Sequence, residues 1–279
     1  LKAFLLTTFS LTAFAFNSIL CRLALGTDAI DASSFTAIRL ISGAATLFII
    51  HSFISKKEEG IMQRGDWVSG LFLFGYAICF SFAYTGLTTA VGALILFGFV
   101  QLTMIVFALS SGERPKILEW IGLVIALGGL VYLVFPGLES PPVLSSILMA
   151  CAGIAWGFYT LRGKGSENPL ADTAGNFLRT VPFIVMASLP FIYQMKASTN
   201  GLIFAVLSGA VASGIGYSVW YAALKYLTAT RAAVLQLSVP IIAGIGGLIF
   251  LSEALSLRLI GASFLILGGI GLVVFNKTK

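Results

Sequence analysis

The sequence predicts an all-α integral membrane protein with ten transmembrane helices, arranged as two inverted five-helix repeats. Three observations carry this expectation. First, the 279 residues are 58% hydrophobic and 10% charged, with a mean hydropathy of +1.00, whereas a soluble domain carries about 25% charge. The 17 basic and 11 acidic side chains are too few to cover a soluble surface, and 23 Phe exclude a disordered chain. Second, the chain is filled by apolar runs of about twenty residues, each long enough to cross roughly 30 Å of hydrocarbon. Third, charges of the same kind recur 140 residues apart.

Reading apolar runs between polar breaks places the spans at roughly 4–24, 33–54, 67–87, 91–110, 117–135, 143–162, 170–193, 201–224, 230–250 and 256–275. The first is expected to be a span rather than a leader, because it lacks a small-residue cleavage site, ends in Arg22 and is followed by many more spans. Trp67 to Gly112 is a 46-residue stretch without charge, too long for one crossing. A tight turn near Thr88–Gly92 is expected to divide it. Pro136-Gly137, Pro141-Pro142 and Gly163-Lys164-Gly165 mark later connections.

With the N-terminus placed in the cytoplasm, twelve Lys and Arg fall on that side and three (Arg22, Lys196, Arg258) on the other, while Arg39 and Arg179 lie within spans. This bias predicts a multi-pass protein of the bacterial inner membrane with both termini cytoplasmic. The overall charge of +6 follows from this bias and does not point to nucleic acid. At an offset of 140, Arg22 falls on Arg162, Arg39 on Arg179, Glu113 on Glu253, and Gly128-Gly129 on Gly268-Gly269. Residues 1–140 and 141–279 are therefore read as repeats. Five spans per repeat make the second enter from the opposite side, the architecture of alternating access.

Ala155-Trp156-Gly157 in the sixth span, Pro240 thirteen residues before Glu253, the closing Gly-Gly of each half and the looser Ala15-Phe16-Asn17 give a recognisable order. It resembles the ten-helix, EamA-type branch of the drug/metabolite transporter superfamily over nearly the whole chain. The first half departs from the pattern in having Val100 where Pro240 has its counterpart, which makes the fourth span less easily kinked. The resemblance implies export of small organic solutes, with amino acids, aromatic ones included, among the family's cargo. Nucleotide-sugar or drug-type metabolites are the alternative. An intramembrane enzyme would need a catalytic constellation, and a channel would need charge rings or carbonyl loops; neither pattern is present. Cys21, Cys79 and Cys151 are far apart and a single His is present, so no metal, cofactor or catalytic residue is expected. The expected partners are a small-molecule substrate and the bilayer, with the protein a monomer or homodimer.

Polar side chains inside a bilayer mark binding sites or buried contacts. The amides are Asn17, Gln101 and Gln236. The aromatic sets are Tyr76, Phe80 and Tyr84 on one face of the third span, Tyr217, Trp220 and Tyr221 on the eighth, and Trp156 with Tyr159 on the sixth. Rings with polar handles orient amphipathic solutes. Tyr84, Trp220 and Tyr221 also suit an interfacial belt. Arg39, about seven residues into its span, and Arg179, about nine, can each meet a substrate carboxylate or snorkel. They are expected at opposite membrane faces as anchors or gates, with Pro240 as a bend point. Glu113 and Glu253 read as caps of the fifth and tenth spans. Ser208, Ala212 and Gly216 read as a packing stripe. No acidic residue sits mid-span, which argues against proton antiport; Glu119, Asp66 and His51 lie at span edges.

Overall fold

In lipid the backbone must satisfy its own N–H and C=O groups, so each apolar run is driven into a helix. The structure, a computed structural model, describes residues 1–54, 60–110, 117–135, 140–227, 232, 235–236 and 238–276. The helices are α1 (Lys2–Leu25), α2 (Ala32–Ile54), α3 (Trp67–Tyr84), α4 (Thr89–Ser110), α5 (Ile117–Val134), α6 (Val143–Gly163) and α7 (Pro169–Ser188). They are followed by α8 (Thr199–Leu224), α9 (Ser238–Leu251) and α10 (Leu257–Asn276). Among the described residues six are long and apolar enough to cross a membrane: α1, α2, α3, α4, α6 and α8. The apolar stretches of α5, α9 and α10 are shorter.

The helix ends follow local chemistry. Asp66 caps α3 by accepting from the Val68 and Ser69 amides, Asn168 caps α7 through the Ala171 amide with Pro169 in the first turn, and Ser198 caps α8 through Gly201. Three boundaries differ from expectation. The turn that divides the long uncharged stretch lies at 85–88, and Thr89–Gly92 already belongs to α4. Helix α7 ends at Ser188 and passes into a 3-10 segment, Leu189–Gln194, where Pro190 supplies no amide for a further helical bond. Within α8, Ser208–Ile215 widens into a π-helix.

The packing of α1–α5 against α6–α10 is reciprocal. Helix α1 packs on α8 and α9, and α6 packs on α3 and α4. Helix α2 lies against α8, α7 lies against α3, and α5 pairs with α10. Of the closing glycines, Gly129 faces Leu265 and Gly269 faces the Gly122 carbonyl across the α5–α10 contact, whereas Gly128 and Gly268 have nothing within 4 Å.

The two ends of the bundle are tied by charge. At one, Arg22 Nε meets Glu253 Oε1 at 3.2 Å and Arg22 Nη1 donates to the Tyr84 carbonyl. The other Glu253 oxygen accepts from the Thr89 amide at 2.8 Å. Glu253 therefore caps α4 and not the tenth span, contrary to the sequence reading. The reason is geometric: its backbone amide bonds back to Gly247, and its carboxylate reaches the free amide of a neighbouring helix and a cation at once. The same end carries a clip between loops, where Ile30 bridges Ala197 and Asp31 accepts from the Lys196 amide. At the opposite end Arg162 Nη2 meets Asp66 Oδ1 at 2.9 Å and its Nε donates to Ser69. Glu113 and the side chain of Glu119 lie outside the described residues.

Candidate substrate site

The middle of the bundle is built from small residues that let polar groups meet. A Cβ at Gly209 would stand 2.0 Å from the Arg39 carbonyl, so only glycine lets α8 press against α2 there. The π segment then follows. Its i→i+5 bonding turns Ser208 and Ser213, five apart, toward one neighbour. Ser208 Oγ donates to Asn17 Oδ1 at 2.5 Å, and Asn17 Nδ2 donates to Ser213 Oγ at 3.0 Å and Tyr217 Oη at 2.9 Å. All four groups of α1 and α8 are thereby joined.

Arg39 completes the cluster. Its side chain is fully buried. Nε donates to Ser213 Oγ at 2.9 Å, and Nη2 donates to Tyr76 Oη at 3.0 Å and Tyr217 Oη at 2.7 Å. The guanidinium carbon stands 5.1 Å from the Tyr76 ring centre and 4.8 Å from that of Phe80, a distance at which ring faces attract a cation. Nη1 has no hydrogen-bond partner among the described residues.

Rings extend from this cluster toward both ends. Toward the Arg162 end, Tyr217 packs on Trp156 (4.5 Å between centres), Trp156 on Tyr159 (5.5 Å) and Tyr159 on Tyr221 (5.4 Å). Toward the Arg22 end, Trp156 meets Tyr76 (5.0 Å), Tyr76 meets Phe80 (5.3 Å) and Phe80 meets Tyr84 (4.7 Å). Phe14 of α1 is a hub, edge-on to Trp156, Tyr217 and Trp220 at 5.4–5.7 Å. The result is a continuous aromatic column. Its Arg22 terminus is Tyr84, whose carbonyl Arg22 holds. Its other terminus, Tyr221, lines a pocket of about 220 Å³ shared with Asp66, Arg162, Asp172 and Asn176.

Eight of the ten sequence-predicted binding residues fall in this arrangement: Asn17, Tyr76, Tyr84, Trp156, Tyr159, Tyr217, Trp220 and Tyr221. Each is at most 4% exposed, so Tyr84, Trp220 and Tyr221 are core residues and not an interfacial belt. Gln101 and Gln236 are also buried. They sit on α4 and just before α9, helices that pack beside α1 and α6. Gln236 Nε2 makes a long bond to the Ala232 carbonyl at 3.4 Å. Pro240 is buried near the start of α9.

The two arginines part company. Arg179 Nη1 donates to the Arg64 carbonyl at 2.6 Å and to Gly175 at 2.9 Å, with Trp67 5.8 Å from its guanidinium carbon. It ties α7 to the loop before α3. Both arginines are expected as anchors or gates; the structure sets Arg179 against the loop before α3, whereas Arg39 reaches the middle of the column, where α8 offers it Ser213 and Tyr217. Ser208 and Ser213, read as packing residues or passed over, are part of the cluster. Their five-residue spacing gives no α-helical signal. Phe14 was equally invisible among 23 Phe.

Burial works to raise the Asp66 carboxyl, but the Ser69 hydrogen bonds and the Arg162 guanidinium outweigh it and hold the group below the ordinary carboxylate value. Among the described residues no group of His, Cys, Asp and Glu is placed to hold a metal ion.

Residues 143–275 match the EamA-like transporter family. Over 98% of its length the chain is 46% identical to an uncharacterized protein of Pseudomonas aeruginosa, covering 94% of that protein. The chain belongs to the EamA-like transporter family. It is thus a multi-pass membrane transporter of the drug/metabolite transporter superfamily, a family of transporters and not of enzymes. It is also 30% identical to the threonine/homoserine exporter RhtA of Escherichia coli, over 62% of this chain and 60% of RhtA. A protein of known crystal structure shares the fold, with a TM-score of 0.65 at 20% identity over 98% of this chain and 99% of that one.

Proposed function

We propose that the chain exports amino acids or closely related small metabolites by alternating access, with the aromatic column as route and the Asn17–Arg39 cluster as its central binding site. The observation that carries this reading is the column itself: a file of rings from Tyr221 to Tyr84 with hydroxyls, an amide and a guanidinium gathered at its middle. Ring faces give an amphipathic solute low-friction contact, and polar groups at one depth give it a place to stop. A partly shielded or exposed ion pair ties helices at each end, Arg22–Glu253 or Arg162–Asp66, and opening them in turn would expose the centre to one side at a time. The reciprocal packing of α1 with α8–α9 and of α6 with α3–α4 supports two halves, 1–140 and 141–279, of inverted orientation. The charge bias supports an inner-membrane location with both termini cytoplasmic. Similarity to RhtA favours amino acids. A nucleotide sugar, with its two phosphates, would call for more cations at the centre than Arg39.

Counterflow in proteoliposomes tests this. L-threonine and L-phenylalanine are the probes, with a nucleotide sugar as the rival. Trp156→Ala and Asn17→Ala are each expected to reduce amino acid counterflow at least several-fold while the purified protein stays monodisperse. Counterflow of the nucleotide sugar alone, or full flux in both variants, would overturn the reading.

A further inference from the structure

We infer that Arg39 is the anchor for the cargo's carboxylate, so that the transported solute must carry one. The inference rests on the central site proposed above and assigns its chemical selectivity.

A guanidinium offers five N–H donors and always carries its charge. Arg39 uses three of them on neutral hydroxyls, those of Ser213, Tyr76 and Tyr217. The two donors on Nη1 have no partner among the described residues, and no carboxylate there lies within ion-pair distance of Arg39. The acidic groups near the column are already committed: Glu253 to Arg22 and the Thr89 amide, Asp66 to Arg162 and Ser69, and Asp172 to Ser166. Cys21, the remaining titratable side chain felt by Arg39, is a thiol and supplies no counter-charge in its neutral form.

A cation buried without a counter-ion is costly inside a bilayer, and ring faces offset only part of the cost. The missing charge is best supplied from outside. A carboxylate suits the free donors, since an N–H of Nη1 can make a short charge-assisted bond to one of its oxygens. Trp156 Nε1 is a second buried donor without a partner, on a ring that touches both Tyr76 and Tyr217. A carboxylate at Nη1 therefore leaves the rest of the solute beside the Trp156 and Tyr76 rings, where an α-ammonium gains cation–π attraction and an apolar side chain gains contact. A cargo with an ammonium and no carboxylate would place like charges together and be rejected.

The test is counterflow with matched probes, L-threonine and L-phenylalanine against their amides, which keep the ammonium and lose the carboxylate. Wild-type protein is expected to carry each acid at least tenfold faster than its amide. Arg39→Gln is expected to bring that ratio close to one by slowing the acid, and Arg39→Lys to keep part of it, since it retains the charge but loses the donors of Nη1. Arg179→Gln, folded and monodisperse, is expected to leave the ratio unchanged. A wild-type ratio near one, or a ratio that survives in Arg39→Gln, would overturn the anchor and leave amino acid transport standing. Failure of wild-type protein to carry either acid would overturn both readings. If Arg39→Gln does not fold, Arg39→Lys decides: an unaltered ratio with the Nη1 donors removed counts against the anchor.

Discussion

Arg39 of α2 and Arg179 of α7 stand 140 residues apart in the sequence, and they do different work. Arg39 lies within the aromatic column, its Nη1 without a partner among the described residues, whereas Arg179 is fastened to main-chain carbonyls of Arg64 and Gly175. The residue one turn earlier sets the difference. In α7 it is Gly175, where a Cβ would stand 1.9 Å from the Arg64 carbonyl, so the loop before α3 lies directly on the helix and presents an acceptor to Arg179. In α2 it is Phe35, a fully buried ring. The guanidinium of Arg39 instead meets α8, which is widened at Ser213 and carries Tyr217.

The strongest way to break this comparison is to fill the space that makes Arg179 a tie. Gly175→Ala drives a methyl into the Arg64 carbonyl, and overpacking of that kind costs about 1–3 kcal/mol. Arg179→Gln removes two charge-assisted bonds at a half-buried position, a loss of about 1–2 kcal/mol. Both are expected to lower thermal stability in detergent and to leave the acid-to-amide preference as it was. An Arg179→Gln protein whose preference collapses would make the two arginines equivalent and end the comparison.

Smaller effects are expected at the two ends. The Arg22–Glu253 pair is mostly buried, with side chains 23% and 11% exposed, and Glu253 also holds the Thr89 amide; Arg162–Asp66 is 44% and 45% exposed. Exposed pairs contribute about 0–1 kcal/mol, and a shielded pair with a further charged bond about 1–2 kcal/mol. Arg22→Gln is therefore expected to shift the protein toward opening at its end by more than Arg162→Gln shifts it toward opening at the other. Cysteine labelling from the two sides of the membrane reads this, and equal or same-side shifts would contradict it. The Asp66 carboxyl is held below its usual value. Its contribution is thus complete above the ordinary carboxylate pKa of about 3.9 and is lost only as pH falls through the lowered value. No change in the Arg162 end is expected between about pH 5 and pH 8.

What the sequence reveals depends on the spacing that carries each feature. The helices were legible because an apolar run in lipid must close its own backbone hydrogen bonds, although only six of those described are long and apolar enough to cross a membrane; their ends differ from expectation where a proline or a capping contact ends a helix, at Ser188 and around Thr89. The aromatic column was legible because Tyr76, Phe80 and Tyr84 keep α-helical spacing, and a buried amide such as Asn17 stands out in an apolar run. Ser208 and Ser213 were not legible, because the π segment joins residues five apart. The part played by Glu253 was also hidden: the helix it caps is 164 residues away, and local reading assigns a carboxylate to the nearest helix start. Arg39 was visible as a residue but not as a member of the site, since the contrast between Phe35 and Gly175 has meaning only once the α2–α8 and α7–α3 contacts are known.

Cargo that follows the aromatic column is expected to pause at the Asn17–Arg39 cluster. Ser213 touches both residues, so Ser213→Cys, placed in a background lacking Cys21, Cys79 and Cys151, puts a thiol at that point. The measurement is the rate at which a small thiol reagent alkylates it, with and without a saturating concentration of whichever amino acid probe shows counterflow. Cargo is expected to slow alkylation at least several-fold, and Arg39→Gln to abolish the protection. Alkylation at the same rate with the site saturated would contradict it and move the binding site away from this cluster.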